Sequence, residues 1–177
     1  MRALALASHR PCGHSLLIDP FPPAARFSTF APEFAQHLYT ATGLDRIVAD
    51  WPSDPLHPKR GSQLPTPRGL LENVRVYKYL PGEFFGPHYD ESVPSPVNPS
   101  FFSQWTLLIY LNEKGVPVEG GDTIFHLPGR KNEMLAVQPE RGAAMLHRHG
   151  SSCMRHEGAP VLKGVKWILR SDLLYGS

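Results

Sequence analysis

The chain reads as a mainly β domain of the sandwich or barrel type with one flanking helix, and three observations carry that reading. From residue 73 onward, short runs rich in aromatic and β-branched residues recur, each bounded by Gly, Pro or Asn. Nineteen prolines punctuate the chain and leave little room for long helices. A single segment, residues 32–42, repeats apolar residues at helical spacing. A length of 177 residues fits one domain with a proper core, and 41% hydrophobic against 19% charged residues is ordinary for a soluble globular protein.

The N-terminal run beginning Met1-Arg2-Ala3-Leu4 is too short and too soon followed by His9-Arg10-Pro11 for a secretory signal. No stretch approaches the roughly 18 apolar residues of a membrane span. A cytoplasmic address is therefore expected. Residues 1–30 form a loop-rich lead-in, with Ile18 and Phe21 as its anchors, and 31–177 form the domain. The helix would bury Phe34, Leu38 and Ala41 and stop at Gly43, where a C-cap wants positive φ. Residues 50–69 are dense in Pro, Ser and charge and predict a long loop, either a lid over a site or an ordinary surface loop. Strands are expected at 73–80, 84–88, 104–111, 122–125, 134–138, 142–147 and 165–174. Phe84, Phe85, Phe101, Phe102 and Trp105 either line a pocket mouth or belong to the core, and Trp167 is assigned to the core.

The chemistry concentrates at His88-Tyr89-Asp90. Side chains i and i+2 of an extended segment leave the same face, so His88 and Asp90 can reach one ion while Tyr89 points away. The bland alternative is a turn after Gly86-Pro87 with Asp90 as its cap. A third ligand is available in His156. His147 and His149 stand i, i+2 and can also pair on a metal, whereas His14, His37, His57 and His126 read as surface or hydrogen-bonded histidines. Two histidines and one carboxylate form the facial triad of non-haem Fe(II) oxygenases, which keeps metal positions open for co-substrate and O₂.

Five elements in order extend this pattern: Tyr79, the His88-Tyr89-Asp90 motif, the apolar run from Gln104 to Asn112, Gly120-Gly121-Asp122-Thr123-Ile124-Phe125, and Lys166 ten residues after His156. Together, over about residues 73–175, they resemble the Fe(II)- and 2-oxoglutarate-dependent dioxygenases of the prolyl 4-hydroxylase type. That resemblance implies a double-stranded β-helix, or jelly roll, with the metal between its two sheets. It implies Fe(II) on His88, Asp90 and His156 as the catalytic set, and 2-oxoglutarate with its far carboxylate on Lys166, helped by the hydroxyls of Tyr79, Thr106 and Tyr110. Lys163 and a purely structural Lys166 are the competing readings of that anchor. Ascorbate is the implied reductant. Arg170, Tyr89 and Trp105 are candidate substrate contacts, and the loops 51–68 and 91–98 would flank the iron and set specificity.

The resemblance implies hydroxylation of an unactivated C–H bond with release of succinate and CO₂, and a peptidyl proline is the default substrate. Rival readings are an oxidative N-demethylase of nucleic acid, a small-molecule hydroxylase, and a domain that binds 2-oxoglutarate or a partner without turnover. A net charge of +2 argues against a nucleic-acid partner or a membrane surface. Two cysteines, Cys12 and Cys153, form no disulfide framework and suit a reducing compartment, which speaks against a secretory collagen-type role. The expected partner is a peptide or a small molecule.

Overall fold

A computed structural model of the chain describes residues 24–49, 67–127, 129, 133–148, 150 and 153–176. The elements run β1 (Ala25–Phe30), α1 (Pro32–Ala41), α2 (Leu44–Ala49), β2 (Pro67–Leu70), β3 (Asn73–Tyr79), β4 (Phe85–His88), β5 (Phe102–Tyr110), β6 (Glu119–Gly120), β7 (Thr123–His126), β8 (Met134–Val137), β9 (Ala144–Arg148), β10 (His156–Gly158), β11 (Val161–Lys163) and β12 (Lys166–Tyr175). The larger sheet has the order β1-β3-β12-β5-β9, with β2 also on β12, and the smaller one the order β4-β10-β7-β8. All pairings are antiparallel. Two facing antiparallel sheets wound in this order make the jelly roll.

Each face of the larger sheet has its own core, and the two-residue period of the strands sorts the side chains between them. Trp105, Leu107, Leu169 and Leu173 face α1 and α2 and bury against Ala35, Tyr39 and Leu44. Tyr79, Tyr110 and Ile168 face the smaller sheet and pack with Val161. Strand β12 lies at the centre, paired with β3 and β5 over most of its length, and Lys166, Arg170, Ser171 and Asp172 interrupt its apolar run. No helix among the described residues is long and apolar enough to cross a membrane.

The seven expected strands are present within about two residues at each end. Several expectations need correction. Residues 25–30 are not loop but the edge strand β1, paired with β3 from Ala25↔Lys78 to Phe30↔Asn73. Every β1 residue is exposed, so no burial pattern marks it in the sequence. Helix α1 ends as expected, with Gly43 at φ 68°, but its buried face runs through Ala35 and Tyr39 while Phe34 stays exposed. Trp167 is only half-buried and lies beneath the Lys78 ammonium, 5.4 Å from its ring centre. Residues 50–66, most of the Pro-rich loop, fall outside the described residues, as do His14, His57, His149, Ile18, Phe21 and Cys12.

Candidate active site

His88 closes β4 and His156 opens β10, and the two are direct cross-strand partners in the smaller sheet, with ring centres 4.3 Å apart. Asp90 follows β4 and reaches towards both. His88 Nε2 lies 3.6 Å from Asp90 Oδ1 and His156 Nε2 3.6 Å from Asp90 Oδ2. A third imidazole joins them from the opposite sheet. His147 Nε2 lies 3.7 Å from Asp90 Oδ2, because His147 on β9 pairs with Thr106 on β5 and so shares the face that looks into the cleft.

The tautomers follow from the far nitrogens. Nδ1 of His88 meets Gly86 O at 2.8 Å, Nδ1 of His156 meets Met154 O at 2.9 Å, and Nδ1 of His147 meets Arg148 O at 3.3 Å. A carbonyl accepts only, so each Nδ1 carries the hydrogen and each Nε2 presents a lone pair. Three lone pairs and a carboxylate thus converge with no hydrogen among them, at separations too long for hydrogen bonds. A cation placed among these atoms would satisfy all of them, and His88, Asp90 and His156 could hold one. An N₂O set with an imidazole orientation fixed through carbonyls fits Fe(II).

Asp90 is fully engaged. Thr106 donates its hydroxyl to Oδ2 at 2.8 Å, and the Arg170 guanidinium sits 3.0 Å from Oδ1. Burial pushes this carboxyl up, but its polar neighbours, with Arg170 and Thr106 as the donors in reach, outweigh it and hold it well below the usual carboxylate range. Arg170 in turn meets Asp172 at 3.5 Å, and Asp172 is paired with Arg75 at 2.7 Å.

Lys166 stands at the other end of the cleft, 2% exposed. Its Nζ donates to Gly121 O and lies 5.2 Å from the Tyr79 ring centre and 6.0 Å from that of Tyr110. Burial lowers its pKa to about 8, with Asp122 opposing. The Gly120-Gly121 segment makes this packing possible. Gly121 has φ 73°, and a Cβ there would lie 3.1 Å from Lys166 Cδ. Tyr110 shares a 2.9 Å hydrogen bond with Thr123 at the end of the same segment.

The expected residues therefore divide. His88, Asp90 and His156 meet at one point, and Lys166, Tyr79 and Tyr110 meet at another along the same cleft. Thr106, expected beside the lysine, hydrogen-bonds the metal-facing carboxylate instead. Trp105 is a correction: next to Thr106 on β5, it takes the opposite face and is 8% exposed in the helix-side core, under the Arg148 guanidinium. Arg170 lines the cleft but is bound to Asp90 and Asp172. Tyr89 points out and is 61% exposed. Phe85 lines the cleft, whereas Phe102 pairs with Tyr175 at the far end of the sheet. The loop 91–98 is tied down by bonds from Ser95 Oγ to Glu72 and from Ser92 Oγ to Ser103 O.

Against known proteins, the profile of the 2OG-Fe(II) oxygenase superfamily matches residues 74–171, more than half of the chain. The chain belongs to this superfamily. Membership carries Fe(II) as the metal and 2-oxoglutarate as the co-substrate. Among characterised sequences, prolyl 4-hydroxylase 1 of Arabidopsis thaliana is 34% identical over 122 residues, 60% of this chain and 41% of that protein. A putative prolyl 4-hydroxylase of Acanthamoeba polyphaga mimivirus is 29% identical over 119 residues, 60% of this chain and 46% of that protein. The chain spans less than half the length of these relatives. Among solved structures, a Pseudomonas putida prolyl-4-hydroxylase superposes with a TM-score of 0.56 at 18% identity, covering 88% of this chain and 74% of that one. A viral collagen prolyl hydroxylase of Paramecium bursaria Chlorella virus-1, in its 2OG complex, gives 0.53 at 19% identity, covering 88% and 81%. Both share the fold.

Proposed function

We propose that the protein is an Fe(II)- and 2-oxoglutarate-dependent dioxygenase that hydroxylates a C–H bond of a substrate, with a peptidyl prolyl residue as its target. The observation that carries the reading is the placing, in one buried cleft, of a His₂-carboxylate cluster with free Nε2 lone pairs at one end and a desolvated lysine at the other. His88, Asp90 and His156 would hold the metal. Lys166 would bind the far carboxylate of 2-oxoglutarate through a charge-assisted hydrogen bond, beside the hydroxyls of Tyr79 and Tyr110. With both bound, the iron and its co-substrate supply the oxidation that inserts one oxygen atom and releases succinate and CO₂.

The chain's own residues have simpler tasks. The carbonyls of Gly86 and Met154 fix the two ligand imidazoles, and Thr106 and Arg170 keep Asp90 ionised and oriented. Apolar side chains from both sheets, among them Phe85, Leu108 and Ile168, limit water in the cleft. The peptide reading is supported by the prolyl 4-hydroxylase names of the relatives. Arg170, the arginine that a nucleic-acid substrate would call on, is already engaged by two carboxylates, which favours the peptide over the nucleic acid. The two widely separated cysteines support a reducing, cytoplasmic setting.

The test is to incubate the iron-loaded protein, 2-oxoglutarate and ascorbate with a set of proline-containing peptides and follow them by mass spectrometry. A gain of one oxygen atom on proline, dependent on 2-oxoglutarate and lost in His88→Ala, is the expected result. Succinate release without any modified peptide would move the substrate to another class.

A further inference from the structure

The larger sheet extends past the cleft on its β1 side. Directly opposite residues of an antiparallel pair share a face, so the cleft face can be followed outward from strand to strand. Ile168 and Arg170 on β12 line the cleft and oppose Tyr77 and Arg75 on β3. Tyr77 and Arg75 in turn oppose Arg26 and Ser28 on the edge strand β1, all of whose residues are exposed. The cleft face therefore continues as an uncovered shelf that carries Arg75, Tyr77 and Arg26. That shelf is cationic. Arg170 is held between Asp90 at 3.0 Å and Asp172 at 3.5 Å, and Arg75 gives one arm to Asp172 at 2.7 Å. The Nε of Arg75 has no hydrogen-bond partner among the described residues, and Arg26 has no carboxylate partner among them. Two carboxylates thus face three guanidiniums, and one cation is left over. Glu157, the other carboxylate of the cleft lining, belongs to the smaller sheet and meets His126 at 3.2 Å.

We propose that Arg26, with Arg75 beside it, selects substrates that carry a carboxylate about three residues from the reacting one, so that the target proline lies in an acidic peptide. This deepens the oxygenase reading above and rests on it. The spacing comes from strand geometry. Adjacent strands lie about 4.8 Å apart, so β1 stands two strands, or about 10 Å, from β12, whose Arg170 touches the metal-facing Asp90. An extended peptide advances about 3.3 Å per residue, and three residues cover that span. A carboxylate placed there meets Arg26 and the partly exposed side chain of Arg75, while Arg170 stays with its own two partners. One spare cation suits one side-chain carboxylate, whereas a phosphate backbone is held by a row of them. Arg26 is thus a specificity residue: the substrate meets it before the reacting carbon is seated, and it touches none of the residues that would hold the metal.

The test is fluorescence anisotropy with the full chain, loaded anaerobically with Fe(II) and 2-oxoglutarate so that nothing turns over. The probes are labelled peptides of one sequence with a single proline and Asp, Ala or Lys three residues to either side of it. On one side, the Asp peptide is expected to bind about tenfold more tightly than its Lys counterpart, and the difference should shrink at about 0.5 M salt. Arg26→Gln should flatten the difference and Arg26→Glu reverse it, with folding confirmed by circular dichroism. Arg46→Glu, the same charge change at an exposed position of α2, should leave it in place. Equal binding of all the peptides, no binding of any, or an Asp preference that survives Arg26→Glu would overturn the proposal. A single-stranded oligonucleotide that displaces the Asp peptide from wild type, and does not bind Arg26→Glu, would overturn it in favour of a nucleic-acid substrate. The visible chelate band, read in the same samples, separates the two claims. An Asp preference that depends on Arg26, without any chelate band, would count against the oxygenase reading and leave the acidic-peptide shelf standing.

Discussion

At Lys166, burial and charge oppose one another. Removing the ammonium from water lowers its pKa to about 8 in the empty cleft, yet only the charged form can bind a carboxylate. The affinity for 2-oxoglutarate is therefore expected to fall about tenfold per pH unit above 8. Stability of the empty protein moves the other way. The native lysine binds fewer protons than the unfolded one between about 8 and 10.5, so stability rises with pH across that window. Equilibrium titrations at pH 7 to 9.5 and thermal melts over the same range check both signs. Thr106 gives a second test. Its hydroxyl donates to Asp90 Oδ2, so Thr106→Val should weaken Fe(II) binding about 10–100-fold and leave the 2-oxoglutarate affinity at saturating iron unchanged. A rise in the co-substrate Kd instead would return Thr106 to the company of Lys166. The His88 and Asp90 pair was legible from i, i+2 spacing on an extended segment, whereas the roles of His156 and Lys166 entered through the resemblance to the dioxygenases. His147 stood out only through its i, i+2 spacing to His149, and its place beside Asp90 is set by a cross-strand pairing with Thr106 that no local pattern contains.

Strand parity explains more of the site than any single motif. On β12, Lys166, Ile168 and Arg170 face the cleft, while Leu169 and Leu173 face the helices. On β5, Thr106 and Tyr110 look into the cleft and Trp105 and Leu107 look away. Once Thr106 is given to the site, Trp105 cannot belong to it, and the sequence already carried that exclusion. The edge strand β1 is the opposite case, because six exposed residues give no period to read. The Gly120-Gly121 turn makes an element-scale prediction. Gly121→Ala places a side chain at positive φ and against Lys166, at a cost of about 1–2 kcal/mol, which lowers Tm by roughly 2–4 °C per kcal/mol and weakens 2-oxoglutarate binding. Gly142 has φ 83° with nothing near its missing Cβ, so Gly142→Ala should lower Tm comparably and leave co-substrate binding intact. Equal losses of binding in both variants would show that the effect comes from the backbone and not from Lys166.

Across the whole molecule, the metal cluster joins the two sheets. His88 and His156 come from the smaller sheet, His147 from the larger, and Asp90 lies between them. Acid should separate them in two stages in the metal-free protein. Burial, with His156 nearby, pushes the His147 imidazole down to about 3 from its ordinary 6.5, so the native state resists a proton that the unfolded state accepts, and stability falls as pH drops through that window. Asp90 has a depressed native pKa, so its contribution is lost only below about pH 4. Melts of wild type and His147→Phe from pH 7 to 3.5 check this, the variant being expected to lack the first part of the decline. On the proposed reading, the two ends of the cleft hold one iron and one 2-oxoglutarate. The direct measurement is anaerobic titration of the Fe(II)-loaded protein with 2-oxoglutarate, followed through the visible charge-transfer band of the chelate, on wild type, His156→Ala and Lys166→Ala. Wild type is expected to develop the band, His156→Ala to lose it, and Lys166→Ala to show a Kd about 10–100-fold higher. No band in wild type, or unchanged titrations in both variants, would contradict it.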